Sequence, residues 1–413
     1  MSQARRVQFA IAVVFLVLVA ADRAFAQDST RVIVQFRDDA QLAMYAQDYA
    51  DDERTAPPGS STYHRRDIVG AAMSLERRYG FRATNFYSYA LRGFAARLTA
   101  AQRRALEANP LVAVVEADTP ISLDPAVDPA QVVPWGIPKI SGDINSTLAG
   151  NGSGDVAGPV LYIVDSGIDI NHPDLNVVGH ITFIGEPNED CFGHGTAVAG
   201  IAAARDNGSY SVGVAPGAPV FGVKVFNCEG STLSSVIVQA LDWLIATAPK
   251  PAVINLSIGS SLPLILVNLA VWNAAASGFV VSVAAGNSGV DACLSSPAGA
   301  GFFFGLPNGV VTAAATDIND KEAGFSNYGM CVDLWAPGVA LSSTWLLSEG
   351  GTITASGTSF SAPYVAGAAV LLLSHLPALP PWFVELILQW TADTPGTLSK
   401  DGRPIHRLSV RWF

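Results

Sequence analysis

Two regimes of hydrophobic patterning divide the chain. In the first, residues 31–37 form a short apolar run that predicts a strand, and Ile68, Ala72, Leu75 and Tyr79 recur at helical spacing. Residues 85–91 and 93–98 predict two more strands, the second alternating with period two. Thr99 and Gln102 form a capping box for a helix over residues 100–108, which Asn109-Pro110 stops ahead of a strand at 111–116. These elements predict a small α+β module of about 90 residues, closed by a Pro-rich link at 124–129. From Val160 onward the apolar runs lose their alternation. Residues 160–164, 220–225, 252–256, 279–284 and 310–314 predict buried strands. Residues 194–204, 234–247 and 264–277 predict helices, and the small residues from Ala362 to Leu373 predict another that must be buried. Apolar strands alternating with helices predict an α/β fold, a parallel β-sheet sandwiched by helices.

Half of the 413 residues are hydrophobic and only 14% are charged, so the chain can bury a large core and is no disordered polymer. From Asp128 onward nine Lys and Arg face twenty-one Asp and Glu, a balance that argues against nucleic acid or an anionic membrane as partner. Arg5 and Arg6 precede an apolar run from Phe9 to Ala21, and Ala24-Phe25-Ala26 supplies a small-x-small cleavage site. Residues 1–26 therefore read as a signal peptide, too short in its apolar part to span a membrane, and predict a secreted, soluble protein. Cys191, Cys228, Cys293 and Cys331 predict two disulfides in an oxidising compartment, with three pairings open.

The candidate chemistry centres on Ser359, in Gly357-Thr-Ser359 at the start of the small-residue helix. There the serine hydroxyl and its own N–H sit at the positive end of a helix, where an oxyanion is favoured. A serine needs a base, and His194 stands between two glycines at the mouth of another helix. Asp165 ends a strand, where open α/β sheets place their sites, and can orient the imidazole. Asn287 follows a buried strand and can donate a second hydrogen bond to an oxyanion.

In context these residues form Ile163-Val-Asp-Ser-Gly-Ile168, Gly193-His-Gly-Thr196, Ala284-Ala-Gly-Asn287 and Gly357-Thr-Ser359. The four blocks resemble the signatures of the subtilisin-like serine proteases (subtilases), most nearly the proteinase K and aqualysin branch. The Asp, His, Ser order is that family's own. The resemblance runs from Trp135 to the C-terminus and implies that Asp165 orients, His194 is the base, Ser359 the nucleophile and Asn287 an oxyanion donor. It also implies that Ser257, Ile258 and Gly259 on one side, and Gly230 and Ser231 on the other, pair with an extended peptide. Ala284, Ala285 and Gly286 join the substrate-binding residues, and Gly286 with the Ser257–Gly259 edge suggests a roomy, uncharged first pocket suited to an apolar or aromatic residue. The pairs Cys191–Cys228 and Cys293–Cys331 resemble the disulfides of that branch, and Asp333 resembles a calcium ligand, making Ca2+ a structural cofactor. Ala197 and Tyr364 depart from the family pattern and imply altered packing beside the machinery.

Leu91-Arg-Gly-Phe-Ala-Ala-Arg-Leu98 and Val112-Ala-Val-Val-Glu-Ala-Asp118 resemble the inhibitory propeptide that precedes many subtilases. The implied organisation is a signal peptide at 1–26, a ferredoxin-like α+β propeptide with its linker at 27–127, and the peptidase domain at 128–413. The mature enzyme would begin between Ile121 and Gln131. The expected protein is a secreted, monomeric endopeptidase made as a self-processing zymogen, acting on protein and peptide substrates and inhibited by its own propeptide. The alternative is a catalytically inactive subtilase scaffold used as a binding protein.

Overall fold

The computed structural model describes residues 29–37, 42, 44–45, 66–122, 133–185, 187–302 and 306–413. The expected signal peptide and most of the expected processing region lie outside the described residues. Among the described residues two compact units emerge: one from those before Thr119 without 87–91, the other from 87–91 and those from 119 to 413.

The smaller unit runs β1 (Ser29–Phe36), α1 (Arg66–Tyr79), β2 (Ala83–Tyr87), β3 (Gly93–Thr99), α2 (Ala100–Glu107) and β4 (Val112–Ala117). Its sheet has the order β2-β3-β1-β4, with β1 antiparallel to both neighbours. Val32, Val34, Phe36, Ile68, Leu75 and Phe94 share one core. Thr99 caps α2 as its sequence predicts: its hydroxyl accepts from Gln102 N while the Gln102 side chain accepts from Thr99 N. The strand expected at 85–91 ends at Tyr87. The next backbone N–H groups, those of Ser88, Tyr89 and Ala90, go to the Asp242 carboxylate and not to a ladder.

In the larger unit, β5 (Pro120–Ser122) is followed by β6 (Leu161–Asp165), β7 (Asn176–Thr182), α3 (His194–Ala203), β8 (Pro219–Lys224), β9 (Ser231–Leu233) and α4 (Ser234–Thr247). Next come β10 (Ala252–Leu256), α5 (Ile265–Ala276), β11 (Phe279–Ala284), β12 (Val310–Thr316), β13 (Leu334–Pro337), β14 (Leu341–Thr344), β15 (Thr352–Ala355), α6 (Thr358–His375) and α7 (Pro381–Trp390). Seven strands in the order β13-β12-β11-β10-β6-β8-β7 form one parallel sheet. Strands β6, β10, β11 and β12 are buried at every position, which is why their sequences lack alternation. Edge strand β7, only partly buried, carries no such run and escapes sequence pattern. The small residues of α6 let it pack against α3, β10, β11 and β12, so the serine helix is a central strut of this unit.

Tyr364 shows what the altered packing in α6 amounts to. It is fully buried, and its hydroxyl finds no hydrogen-bond partner among the described residues. That hydroxyl fills the space where a side chain at Gly136 would begin. Burying an unpaired hydroxyl costs free energy without return, so Tyr364→Phe is expected to raise stability by about 1 kcal/mol. A denaturant or thermal melt of the mature protein reads this directly, and a lower midpoint would refute it.

Candidate active site

Asp165 is the last residue of β6, between β10 and β8 at the carboxyl edge of the sheet, and is fully buried. His194 opens α3, and its Nδ1 lies 2.8 Å from Asp165 Oδ1. Two glycines allow this approach. A side chain at Gly193, where φ is +97°, would meet the Trp345 ring, and one at Gly195 would meet the Gly167 carbonyl. Asp190 fastens the two segments together. Its carboxylate accepts from Ser166 Oγ at 2.9 Å, from Gly193 N at 2.9 Å and from Thr196 N at 3.0 Å. Behind them the buried Lys224 ammonium donates to the Ser166 carbonyl at 2.9 Å.

Ser359 is the second residue of α6, so its N–H belongs to the unsatisfied first turn. Its carbonyl accepts from Ser257 Oγ at 2.7 Å, which ties the turn to the end of β10. Asn287 Oδ1 accepts from Thr358 N at 2.8 Å and from Thr358 Oγ1 at 2.9 Å. With its oxygen so committed, the Asn287 amide nitrogen faces the Gly357–Ser359 turn, 3.4 Å from where a Gly357 side chain would start. Phe360, next to the serine, meets the His194 ring edge-on at 6.1 Å between centroids. Among the described residues the Ser359 hydroxyl makes no hydrogen bond, a common state for a nucleophile before substrate tightens the site.

A cavity of about 190 Å3 opens beside Ser359 and Asn287. Ser257, Ile258, Gly259, Ala284 and Gly286 line it. Ala285 does not: it lies behind the wall, donating to the Ala313 carbonyl and accepting from Asn327. Ser231 belongs to β9, which pairs antiparallel with β5, Ser231 opposite Ser122. Gly230 precedes it, against the Phe192 ring. Sequence reasoning missed Ser295 and Asn327 in the cavity wall and Asp190 beside the histidine. Each is a polar residue in an irregular segment, where no periodicity marks it.

Both expected disulfides are present, Cys191–Cys228 with Cα atoms 5.1 Å apart and Cys293–Cys331 at 5.2 Å. Asp333 lies away from the cavity, half-buried just ahead of β13 and beside Thr312 of β12. Its Oδ2 accepts from Thr312 N at 2.8 Å and its Oδ1 from the Gln389 amide at 3.3 Å. Beside it, Glu385 Oε2 accepts from Asn308 N and Gly309 N, both at 2.7 Å. Burial, with Glu385 close by, holds Asp333 well above the usual carboxylate range, and burial pushes Glu385 up to about 7. Calcium requires six or more oxygens, whereas N–H donors face these carboxylates. The residues around Asp333 do not fit the ion. Chelator is therefore expected to cause no loss of melting temperature that Asp333→Asn abolishes; such a loss would restore the calcium site.

A buried Asp–His pair, packed through Phe360 against a helix N-terminus that carries a serine, on a seven-stranded parallel sheet, points to a serine hydrolase of the α/β class. The Subtilase family matches residues 157–405, and Peptidase inhibitor I9 matches residues 31–124. The chain is 37% identical over 334 residues to "Extracellular serine proteinase" of Thermus sp. (strain Rt41A), covering 78% of this chain and 76% of that protein. It is 40% identical over 273 residues to "Subtilisin DY" of Bacillus licheniformis, covering 65% of this chain and 94% of that one. A crystal structure of a cold adapted subtilisin-like serine proteinase matches with a TM-score of 0.58 at 32% identity, over 67% of this chain and 97% of the other. The chain belongs to the subtilase family of serine proteinases and carries an inhibitor I9 propeptide region.

Proposed function

We propose that the protein is a secreted serine endopeptidase, made as a zymogen that processes itself. The observation that carries the reading is the Asp165–His194 bond of 2.8 Å, buried on both sides, with the His194 ring packed edge-on against Phe360, the residue after Ser359. The bond to Asp165 keeps the proton on Nδ1 and leaves Nε2 to act as base. Ser359 Oγ attacks the scissile carbonyl while His194 takes its proton. The oxyanion accepts from Ser359 N–H and the Asn287 amide. Collapse expels the amine, which receives the proton from His194, and leaves an acyl-enzyme on Ser359. Water, activated by the same imidazole, then releases the acid and restores the serine.

The pairing of β5 with β9 supports an inhibitory role for the segment that leads into the processing region. Residues 120–122 run antiparallel to Ser231–Leu233 as an extended substrate would. The Asp242 carboxylate, collecting the N–H groups of Ser88, Tyr89 and Ala90, supplies a second hold within the inhibitor I9 match. Secretion accords with the extracellular relative and with the signal-like first 26 residues. Among the described residues no helix is long and apolar enough to cross a membrane. A fluorophosphonate probe tests the reading. Label on Ser359 of the mature protein is expected, and label elsewhere, or none on folded protein, would sink it. No observation favours the inactive scaffold.

A further inference from the structure

The cavity beside Ser359 is walled by more polar groups than an apolar side chain needs, and the hydrogen bonds of the buried ones can be accounted for one by one. Asn327 is 1% exposed and saturated: its oxygen accepts from Ser288 N at 3.0 Å and Val290 N at 3.1 Å, while its amide donates to the Ala285 carbonyl at 2.9 Å and Ser295 Oγ at 3.0 Å. Ser257 Oγ accepts from the Asn255 amide and donates to the Ser359 carbonyl. Thr358 Oγ1 accepts from Gly286 N and donates to Asn287. Ser295 differs. It is 3% exposed, and its hydroxyl receives the Asn327 proton but makes no other hydrogen bond among the described residues. A hydroxyl carries one donor and two acceptor sites. Ser295 therefore keeps one of each for whatever enters the cavity, and Asn327, fully committed, fixes where that hydroxyl stands.

We infer that Ser295 is a specificity-determining residue, and that this cavity takes a neutral amide side chain, glutamine first, at the residue whose carbonyl is cleaved. The inference rests on the proteinase reading above and deepens it. An amide can use both free sites of one hydroxyl at once, donating through its nitrogen and accepting through its oxygen. A carboxylate or ammonium would leave water for a wall that holds no charged side chain among the described residues. A thioether of the same length fills the space but leaves the buried hydroxyl without a good partner.

The test compares two peptides differing only in Gln or Met before the cut, using the processed full-length product. Wild type is expected to cleave the Gln peptide with kcat/KM at least equal to that for Met. Ser295→Ala is expected to lower the Gln-to-Met ratio about fivefold, the worth of one neutral hydrogen bond. A wild-type ratio below one, or a ratio that Ser295→Ala leaves unchanged, overturns the inference. Should the variant fail to fold, because Asn327 loses an acceptor, the wild-type ratio alone decides by the same criterion. Hydrolysis of both peptides that survives Ser359→Ala strikes the proteinase reading, and this inference with it. Ser359-dependent cleavage with the wrong ratio strikes the inference alone.

Discussion

Ser359→Ala and His194→Ala are each expected to lower kcat about a million-fold, and the double variant little further. That size is the one known for subtilisin, a member of this family, and applies to this chain through the shared triad. The physical ground is local. Ser359 provides the bond to the acyl group, and without it His194 has no hydroxyl to deprotonate. Without the imidazole, the serine must attack as a neutral alcohol and the leaving amine departs unprotonated. The two residues act as one device, so their losses do not add. The full chain offers a reading that needs no added substrate. Wild type should split into a propeptide and a mature form, whereas either variant should persist uncut. Processing of Ser359→Ala at the wild-type rate, in protein free of other proteases, would end the assignment. Asp165→Asn should cost less, because it leaves serine, imidazole and oxyanion donors in place and spoils chiefly the tautomer.

Much of this site was legible in the sequence because it lies where regular structure ends. Asp165 closes a run of buried strand residues, Asn287 follows another, and His194 and Ser359 each open a helix of small residues. The same apolar runs that predict β6, β10, β11 and β12 therefore place the chemistry at one edge of the sheet. Edge strand β7 and the short β13 to β15 carry no comparable run, and α7 opens at Pro380-Pro381 in a segment whose pattern alone predicts no element. The cavity wall was hidden for a different reason. Asn327 and Ser295 matter through bonds to Ser288, Val290 and Ala285, contacts between loops that sequence spacing does not encode. Asp333 is the instructive mismatch. Family resemblance suggests an ion there, but Glu385 arrives from α7, 52 residues later, and turns the 308–309 amides toward a carboxylate.

Asn287→Leu is expected to reduce kcat about 100- to 1,000-fold while KM moves little, the magnitude again being that of the corresponding donor in subtilisin. The split between the two constants is the informative part. An oxyanion exists only on the way through the tetrahedral intermediate, so a donor aimed at it lowers the barrier without tightening substrate binding. In this chain the Asn287 oxygen is pinned by both donors of Thr358, which orients the amide nitrogen before substrate arrives. Leucine keeps the size and loses both donor and acceptor. Its stability cost is separable: Thr358 N and Oγ1 would lose their partner, so the melting temperature should fall as well. Thr358→Val serves as the control, since it loosens the Asn287 anchor yet keeps the donor, and should lower kcat by a smaller factor. If Asn287→Leu instead raised KM with kcat unchanged, the amide would be a substrate-binding group, and the oxyanion would have to rest on the Ser359 N–H alone.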